Sequence, residues 1–185
     1  AAEHALELWA GGATQVRRWE KEPGQPVCDA DIALDMMLRE SLVAIAPDAG
    51  WLSEETADNA DRLSNERLWV VDPIDGTRDY LGGRRGWAVS VALVERGVPV
   101  VGMAMVAADE ADMVAGLRWG YEWDLAAAAL IAAEAGAIVT DALGAPLTFN
   151  RPDPVALGIL CCAPGIHEAA VERLSERAMK VRGER

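Results

Sequence analysis

The fold of this chain is decided by one segment, Arg67-Leu-Trp-Val-Val-Asp-Pro-Ile-Asp-Gly-Thr-Arg-Asp-Tyr80, which turns abruptly from apolar to acidic. Residues 68–71 are aliphatic, aromatic and β-branched, the composition of a buried strand. Asp72 and Asp75 follow at its carboxyl end, where a rigid strand can hold carboxylates while a loop leaves room for a ligand. Gly76 then lets the backbone approach that ligand closely. The segment therefore predicts a strand that presents metal-binding carboxylates.

The overall composition excludes several classes of partner. The chain has 185 residues, enough for one substantial core or two small lobes. Acidic residues outnumber basic ones 30 to 17, and the formal net charge of −13 argues against binding of a nucleic-acid polymer. No apolar run is long enough to span a membrane, so no membrane partner is expected.

The cysteines and the first residues indicate a cellular location. The three cysteines, Cys28, Cys161 and Cys162, do not form a disulfide framework, which favours reduced thiols. Residues 1–20 do not combine a basic start with an apolar core, as a secretion signal would. We therefore expect a cytoplasmic protein.

The remaining pattern alternates between helices and strands. Helices are predicted over residues 5–19, from a cap at Asp31 to before Pro47, over 125–135 and from Pro164 to about Lys180. A hairpin is predicted over 87–95 and 98–106, and further strands over 137–140 and 157–162. This mixture indicates an α+β fold with an antiparallel, strand-rich front and an α/β back.

Acidic side chains recur beside the predicted strand and helix ends: Glu54, Glu55, Asp72, Asp75 and Asp124. Taken singly, Asp124 is typical of a helix cap, and the glutamate pair is typical of a solvated loop. Taken together they match a site for two Mg²⁺ ions roughly 4 Å apart, which needs a bridging carboxylate and several separate oxygen ligands. The backbone carbonyl of Ile74 could add one more such ligand.

A competing interpretation is a haloacid-dehalogenase phosphatase, in which a strand also ends in an aspartate followed by a second aspartate. In those enzymes the second aspartate is the next residue but one, so that nucleophile and acid share one geometry. Here Asp75 is the third residue after Asp72, one position later than that pattern requires. The spacing argues against an aspartyl-phosphate intermediate and for direct attack by a metal-bound water.

Residues 72–77, Asp-Pro-Ile-Asp-Gly-Thr, preceded by Trp-Val-Val, resemble the signature of the inositol monophosphatase superfamily. Three more segments match in order: Pro-Val-Cys-Asp-Ala-Asp at 26–31, with Cys28 in place of the usual threonine, Leu-Ser-Glu-Glu at 52–55, and Trp-Asp-Leu-Ala-Ala at 123–127 with Glu-Ala-Gly at 134–136. Segments 53–56, 75–78 and 150–152 look closest to the bacterial 3′(2′),5′-bisphosphate nucleotidase branch.

The resemblance implies a layered αβαβα sugar-phosphatase-like fold, with an antiparallel sheet in the front lobe and a smaller mixed sheet in the back lobe. It also implies a Mg²⁺-dependent, lithium-sensitive phosphatase that acts on a small phosphorylated substrate. A homodimer is expected because family members often form one, and the Ala-rich segment around residues 126–135 is suited to close helix packing.

The resemblance also assigns metal ligands. Glu54, Asp72 and the carbonyl of Ile74 would hold a first Mg²⁺. Asp72 would bridge to a second ion, completed by Asp75 and Asp124. Two or three ions are expected in all.

The catalytic and substrate-binding roles carry over in the same way. Glu55 and Thr77 would orient the attacking water, and Asp31 would support the metal shell. The N–H groups of Gly76 and Thr77 would bind phosphate oxygens, and Asp75 and Asp124, already metal ligands, would also face the substrate.

One departure from the family pattern lies in the middle of the chain. Family members have several tens of residues between the hairpin and the Trp-Asp motif, whereas only residues 107–122 stand there in this sequence. Either the chain carries a natural or engineered deletion, or residues are missing from the sequence as it stands. The second explanation is favoured because residues 118–123 do not look suited to a bridging turn. The expected lobes are 1–116, with most metal ligands, and 117–185.

Two functions follow from these alternatives. The first is a phosphomonoesterase that hydrolyses an inositol monophosphate or a 3′(2′),5′-bisphosphate nucleotide through metal-activated water. The second is a non-catalytic metal-binding remnant or scaffold that lacks the substrate wall.

Overall fold

The computed structural model describes residues 2–9, 16–103 and 113–183. Its helices are α1 (Ala2–Leu8), α2 (Asp29–Ile45), α3 (Thr77–Leu81), α4 (Glu122–Glu134) and α5 (His167–Gly183), with 3₁₀ turns at Ala60–Ser64 and Pro164–Ile166. Its strands are β1 (Arg18–Glu22), β2 (Gln25–Cys28), β3 (Gly50–Ser53), β4 (Arg67–Asp75), β5 (Ala88–Glu95), β6 (Val98–Met103), β7 (Met113–Tyr121), β8 (Ile138–Thr140) and β9 (Val155–Cys162).

Strand β4 is a central strand of a four-stranded sheet with the order β3-β4-β5-β6. Leu68 and Val70 face a core that includes alanines of α4, whereas Trp69 and Val71 face a core that includes Leu38 of α2. This alternation follows the two-residue period of a strand, and it explains why the segment is apolar on both faces. The sheet therefore lies between α2 and α4.

The register of β4 shifts against β5 between Asp72 and Asp75. Pro73 lies within this irregularity, where its missing N–H does not interrupt a regular ladder. A bulge bends a strand and changes the direction of its side chains. The sequence Asp-Pro-Ile-Asp therefore ends β4 with two carboxylates in a non-regular geometry.

Helix α4 separates the two larger sheets. It contacts β4, β5 and β6 on one side and β7, β8 and β9 on the other. Ala126 and Ala127 are fully buried in the core that α4 shares with the four-stranded sheet. The small side chains of this helix therefore serve close packing within the chain. The dimer surface expected from the Ala-rich segment stays a prediction.

The second sheet has the order β7-β9-β8, and α5 packs on it through Ala170 and Ala178. The layers run from α2 through the four-stranded sheet, α4 and the three-stranded sheet to α5. This order confirms the predicted α+β class and its αβαβα layering.

The strand directions within the two sheets differ from the prediction. The front sheet was expected to be antiparallel, but β3 and β4 are parallel. The back sheet was expected to be mixed, but β7, β9 and β8 are antiparallel. The parallel pair arises because residues 54–66 cross back over the sheet and return the chain to its starting edge.

The prediction of a helix over 5–19 holds for residues 5–8 and is wrong for its last described residues, 16–19. Helix α1 ends at Leu8, and Arg18–Glu22 forms strand β1, which pairs with β2 and places Trp19 opposite Val27. Pairing with a neighbouring strand overrides the local helical periodicity here. Residues 10–15 lie outside the described part of the chain.

Two other predictions extend beyond the described residues, and a third concerns a boundary inside a strand. The predicted hairpin strand 98–106 is described only to Met103, as β6. The predicted lobe boundary at 116/117 falls inside β7, so the division into lobes stays a prediction. The predicted gap near 107–122 falls partly on 104–112, which lie outside the described residues.

Within the described ranges, no helix combines the length and apolarity needed to cross a bilayer.

Gly158 provides a test of how β9 meets β7. Its φ is +64°, and a Cβ there would lie 2.0 Å from the carbonyl oxygen of Gly116. We expect Gly158→Ala to lower the free energy of unfolding by about 2 kcal/mol or more, measured by urea denaturation. Gly116→Ala is the control, because its Cβ would make ordinary contact at 3.6 Å with Ile159. Equal effects of the two substitutions would contradict this reading of the strand contact.

Candidate metal and phosphate site

Three carboxylates converge at one edge of the four-stranded sheet. One oxygen each of Glu54, Asp72 and Asp124 lies within 4.8 Å of the other two. Their donors are all hard oxygen atoms, which is the ligand type that Mg²⁺ and Ca²⁺ prefer. The residues therefore fit a hard divalent cation.

Parallel pairing brings the first two of these side chains together. Leu52 of β3 lies opposite Val70 of β4, and the N–H of Glu54 donates to the carbonyl oxygen of Val71 at 3.2 Å. Glu54 and Asp72 thus follow the carboxyl ends of two adjacent parallel strands, which lie at the same edge of a sheet. Asp124 enters from the first turn of α4.

Without a cation, the surroundings of the cluster favour the protonated forms of its carboxyl groups. Burial raises the pKa of Asp72 well above its ordinary value, and the charges of Glu54, Asp75 and Asp124 add to this shift. Burial also raises the pKa of Asp124 to about 7, with repulsion from Asp75 and Glu54 acting against a hydrogen bond from the Tyr121 N–H. A bound divalent cation would offset this repulsion and favour the ionised carboxylates.

Asp72 is held by its own strand end. The N–H of Ile74 donates to Asp72 Oδ1 at 3.0 Å, which orients the carboxylate. The carbonyl oxygen of Ile74 accepts a hydrogen bond from Thr77 Oγ1 at 3.0 Å. Asp75 lies at the exposed end of β4, outside the converging set of three. Partial removal from water, followed by the Glu54 charge, raises the pKa of Asp75.

Gly76 allows the turn from β4 into α3. Its φ is +85°, and a Cβ would lie 2.7 Å from the carbonyl oxygen of Gly86. Only glycine fits this combination of left-handed backbone and close approach. Thr77, the first residue of α3, also places its hydroxyl 3.3 Å from Asp31 Oδ1. Gly76, Thr77 and Asp31 therefore lie next to the end of β4, as the sequence predicts.

Asp31 is a capping residue, although not as the predicted N-cap. Helix α2 begins at Asp29 after an N-cap at Cys28, and Asp31 Oδ2 accepts the Cys28 N–H at 2.7 Å. Burial raises the pKa of Asp31, while the Cys28 contacts oppose that shift. The carboxylate thus fixes the start of α2 with one oxygen and reaches Thr77 with the other.

Glu55 faces a lysine that the sequence interpretation missed. Lys21 of β1 donates to Glu55 Oε1 at 2.6 Å and to Glu54 Oε1 at 3.2 Å. The Glu55 side chain is only 3% exposed, and burial raises the pKa of Glu55 to about 7 despite Lys21. Lys21 lies before the segment 26–31, and no distinctive spacing marks it. The only feature of the sequence that could have pointed to it is a positive charge in an acidic chain.

A buried aspartate anchors the turn that carries Glu54 and Glu55. Asp35 of α2 accepts hydrogen bonds from the hydroxyls of Ser53 and Thr56. The Ser53 hydroxyl also accepts the N–H of Glu55 at 3.2 Å. These hydrogen bonds therefore fasten the turn to α2.

Ser90 anchors the start of α4 in a similar way. It lies opposite Asp72 in the β4–β5 ladder, and its hydroxyl donates to the carbonyl oxygen of Trp123 at 3.1 Å. Asp124 is the next residue. A single buried hydroxyl therefore connects the strand pair that holds Asp72 to the helix that holds Asp124.

A larger polar network secures α4 at Glu122, which is fully buried. Its carboxylate accepts the backbone N–H groups of Asn150 at 2.7 Å and Arg151 at 3.1 Å, and the Arg151 Nε at 3.2 Å. Arg62, also buried, donates to both oxygens of Asp58 and to the Asn150 side chain. This network ties the segment after Glu54 to the start of α4.

These features define a cluster of carboxylates that could hold a metal ion, in a layered αβαβα fold. A family model described as "Inositol monophosphatase family" matches residues 1–104 and 102–179. The chain therefore belongs to the inositol monophosphatase family. This membership confirms the resemblance that the four sequence segments indicated.

Curated relatives match shorter stretches. A "Glucose-1-phosphate thymidylyltransferase" of Streptomyces griseus is 45% identical over 83 residues, which are 45% of this chain and 31% of the relative. The 3′(2′),5′-bisphosphate nucleotidase CysQ of Salmonella typhimurium is 37% identical over 93 residues, or 50% of this chain and 38% of the relative. A histidinol-phosphatase of Mycobacterium tuberculosis is 40% identical over 92 residues, or 50% and 35%. The chain thus spans about a third of the length of these relatives.

Solved structures share the fold. The inositol monophosphatase of Thermotoga maritima superimposes with a TM-score of 0.73 at 18% identity, over 96% of this chain and 94% of the other. The extragenic suppressor protein suhB of Bartonella henselae gives a TM-score of 0.70 at 18% identity, over 93% of each chain. At this identity the likeness establishes the architecture alone.

The raised pKa values predict an unusual pH dependence of stability. Asp124 has a pKa near 7 in the folded chain against an ordinary 3.8, so the folded state binds more protons between these values. The free energy of unfolding should therefore fall as pH rises through this window when EDTA is present. Saturating Mg²⁺ should restore more stability at pH 8 than at pH 5.

Asp124→Asn is the control for that titration, because it should make the dependence in EDTA less steep, while the raised pKa values of Asp72 and Glu55 account for the part that remains. Asp48 and Asp58, whose pKa values are lowered by hydrogen bonds from Arg67 and Arg62, affect stability below the window and not within it. Thermal unfolding at several pH values measures both chains. A metal-free wild type that gains stability between pH 4 and pH 7 would contradict the prediction.

The Glu122 network can be tested by truncation. Glu122→Ala leaves two backbone N–H groups of the 150–151 segment without their buried acceptor, which should cost about 3 kcal/mol of unfolding free energy. Glu134→Ala, exposed at the other end of α4, should stay within about 0.5 kcal/mol of wild type. Urea denaturation compares the two, and similar losses would show that Glu122 has no special anchoring role.

Proposed function

We propose that the chain is a Mg²⁺-dependent phosphomonoesterase that hydrolyses a small phosphorylated alcohol or nucleotide. The observation that carries the proposal is the convergence of Glu54, Asp72 and Asp124 within 4.8 Å. Family membership supports it, as do two relatives whose names are those of a bisphosphate nucleotidase and a histidinol-phosphatase. An inositol monophosphate or a 3′(2′),5′-bisphosphate nucleotide is the proposed substrate.

The proposed ligands divide into two sets. Glu54, Asp72 and the carbonyl of Ile74 would hold one Mg²⁺, and Asp72, Asp75 and Asp124 a second, with room in the proposal for a third ion. When bound, the metal supplies a water of lowered pKa and neutralises charge on the phosphate. The high pKa values of Asp72 and Asp124 support this need for positive charge.

Glu55 and Thr77 are suited to orient the attacking water. The single hydroxyl proton of Thr77 can go to the Ile74 carbonyl at 3.0 Å or to Asp31 Oδ1 at 3.3 Å, and either choice leaves oxygen lone pairs to accept a hydrogen bond from water. Glu55, with a pKa of about 7, can take a proton near neutral pH while Lys21 holds one of its oxygens. Asp31 would orient the Thr77 hydroxyl through its carboxylate oxygen Oδ1.

Phosphate binding is assigned to the turn at Gly76 and Thr77. The close packing of this turn against Gly86 supports a fixed backbone, and fixed N–H groups are good donors to phosphate oxygens. Asp75 and Asp124 would face the same phosphate. Lithium inhibition belongs to the same proposal.

Three further statements extend the proposal to the whole protein. A cytoplasmic location is proposed because Cys28, Cys161 and Cys162 are free thiols. A homodimer is proposed from the family resemblance. The lobes 1–116 and 117–185 are proposed as the two halves that meet at the carboxylate cluster.

The alternative is a non-catalytic metal-binding remnant or scaffold. One observation favours it, namely that the chain spans about a third of the length of its curated relatives. On this alternative the carboxylates would still bind Mg²⁺ but no phosphate ester would be hydrolysed.

Phosphate release from inositol 1-phosphate and adenosine 3′,5′-bisphosphate with Mg²⁺ tests the proposal. We expect activity on at least one substrate, and Asp72→Asn should lower kcat at least about 10³-fold because the metal contributes several kcal/mol. Asp48→Asn, an exposed partner of Arg67, is the matched control and should retain activity. Mg²⁺ binding by a folded chain that hydrolyses neither ester would favour the scaffold instead.

A further inference from the structure

An aromatic pair stands at the edge of the carboxylate cluster. The rings of Tyr121 and Trp123 are stacked, with centroids 4.5 Å apart and planes inclined by only 7°. Trp123 packs against the core beneath the four-stranded sheet. Tyr121, by contrast, is 44% exposed. One face of the tyrosine is therefore supported by the tryptophan, while much of the ring remains open to solvent.

The position of this pair relative to the metal ligands is fixed by a backbone hydrogen bond. The N–H of Tyr121 donates to Asp124 Oδ2 at 3.2 Å. Covalent geometry then keeps the tyrosine ring within roughly 9 Å of that carboxylate. This is the scale of the separation between a phosphate and the base within one nucleotide.

We propose that Tyr121, supported by Trp123, is a stacking platform for a flat aromatic ring in the substrate. This inference rests on the proposed phosphatase function. It implies that the site favours nucleoside phosphates over polyol phosphates as substrates. Tyr121 is thus a residue that determines specificity and does not take part in the chemical step.

The chemistry of the surroundings supports an aromatic ligand. A nucleobase is uncharged at neutral pH and suffers no repulsion from a chain of net charge −13. Any base offers a π-face, so stacking on an aromatic side chain needs no particular donor or acceptor pattern. A polyol phosphate such as β-glycerophosphate has no π-face and cannot stack in this way.

The existing stack also lowers the cost of binding. A tyrosine free to rotate would lose side-chain entropy when a base settled on it, whereas the contact with Trp123 already restricts this ring. The ordinary alternative is that Tyr121 merely covers Trp123 as part of the surface. The two interpretations differ in what removal of the tyrosine ring does to different substrates.

Tyr121→Ala separates them, because the bond to Asp124 comes from the backbone N–H and survives the substitution. With Mg²⁺, the KM for adenosine 3′,5′-bisphosphate should rise roughly tenfold. The KM for β-glycerophosphate and the kcat for both substrates should stay within about twofold of wild type. Tyr121→Phe should keep the wild-type KM for the nucleotide. Met179→Ala, which removes an exposed apolar side chain on α5, is the control and should change neither KM.

The outcomes distinguish failure of this inference from failure of the proposed function. Hydrolysis of both substrates with an unchanged nucleotide KM in Tyr121→Ala, or an equal rise for both substrates, would overturn the platform and leave the function standing. If the folded wild type hydrolyses neither substrate, the function fails, and titration calorimetry with adenosine 3′,5′-bisphosphate and Mg²⁺ decides the inference. A roughly tenfold weaker Kd in Tyr121→Ala would support the platform, and equal or undetectable binding in both chains would overturn it.

Discussion

Mutual repulsion between carboxylates is the constraint on which the rest of the site depends. Glu54, Asp72 and Asp124 come within 4.8 Å of one another, although each would separate from the others if the chain were free to move. Burial removes these carboxylates from water and disfavours their charged forms, and repulsion from the neighbouring carboxylates adds to this, so the pKa values of Asp72 and Asp124 are raised. A fold that keeps such a cluster must hold it by contacts made elsewhere, and such local conflict is typical of functional sites.

Those contacts are hydrogen bonds made by residues of several different elements. Asp35 holds the turn after β3, Ser90 holds the start of α4, and Glu122 holds the same helix through the 150–151 segment. Each uses buried hydrogen bonds, which are costly to leave unsatisfied and therefore resist displacement. The central β4 strand, buried on both faces, supplies the rigid element against which the anchored pieces are positioned.

The sequence predicted the site better than it predicted the supports. The short spacings in residues 52–55, 72–77 and 123–124 are local, so the carboxylates and Gly76 could be recognised within single segments. Lys21, Asp35 and Ser90 were missed because their partners lie far away along the chain, and neither spacing nor composition marks them. The end of the helix predicted over 5–19 was wrong for a related reason, because β1 is stabilised by pairing with β2 and not by its own periodicity.

By itself, the sequence determined the family and the α+β layering, and it predicted which carboxylates belong to the site, because these depend on residue types at short, fixed separations. The tertiary structure decided that β3 and β4 run parallel, and this places Glu54 beside Asp72 at one edge of the sheet. It also decided that Asp75 stands outside the closest set and that Tyr121 stacks on Trp123 near Asp124. Strand direction and side-chain proximity arise from contacts between distant segments, and no local pattern specifies them.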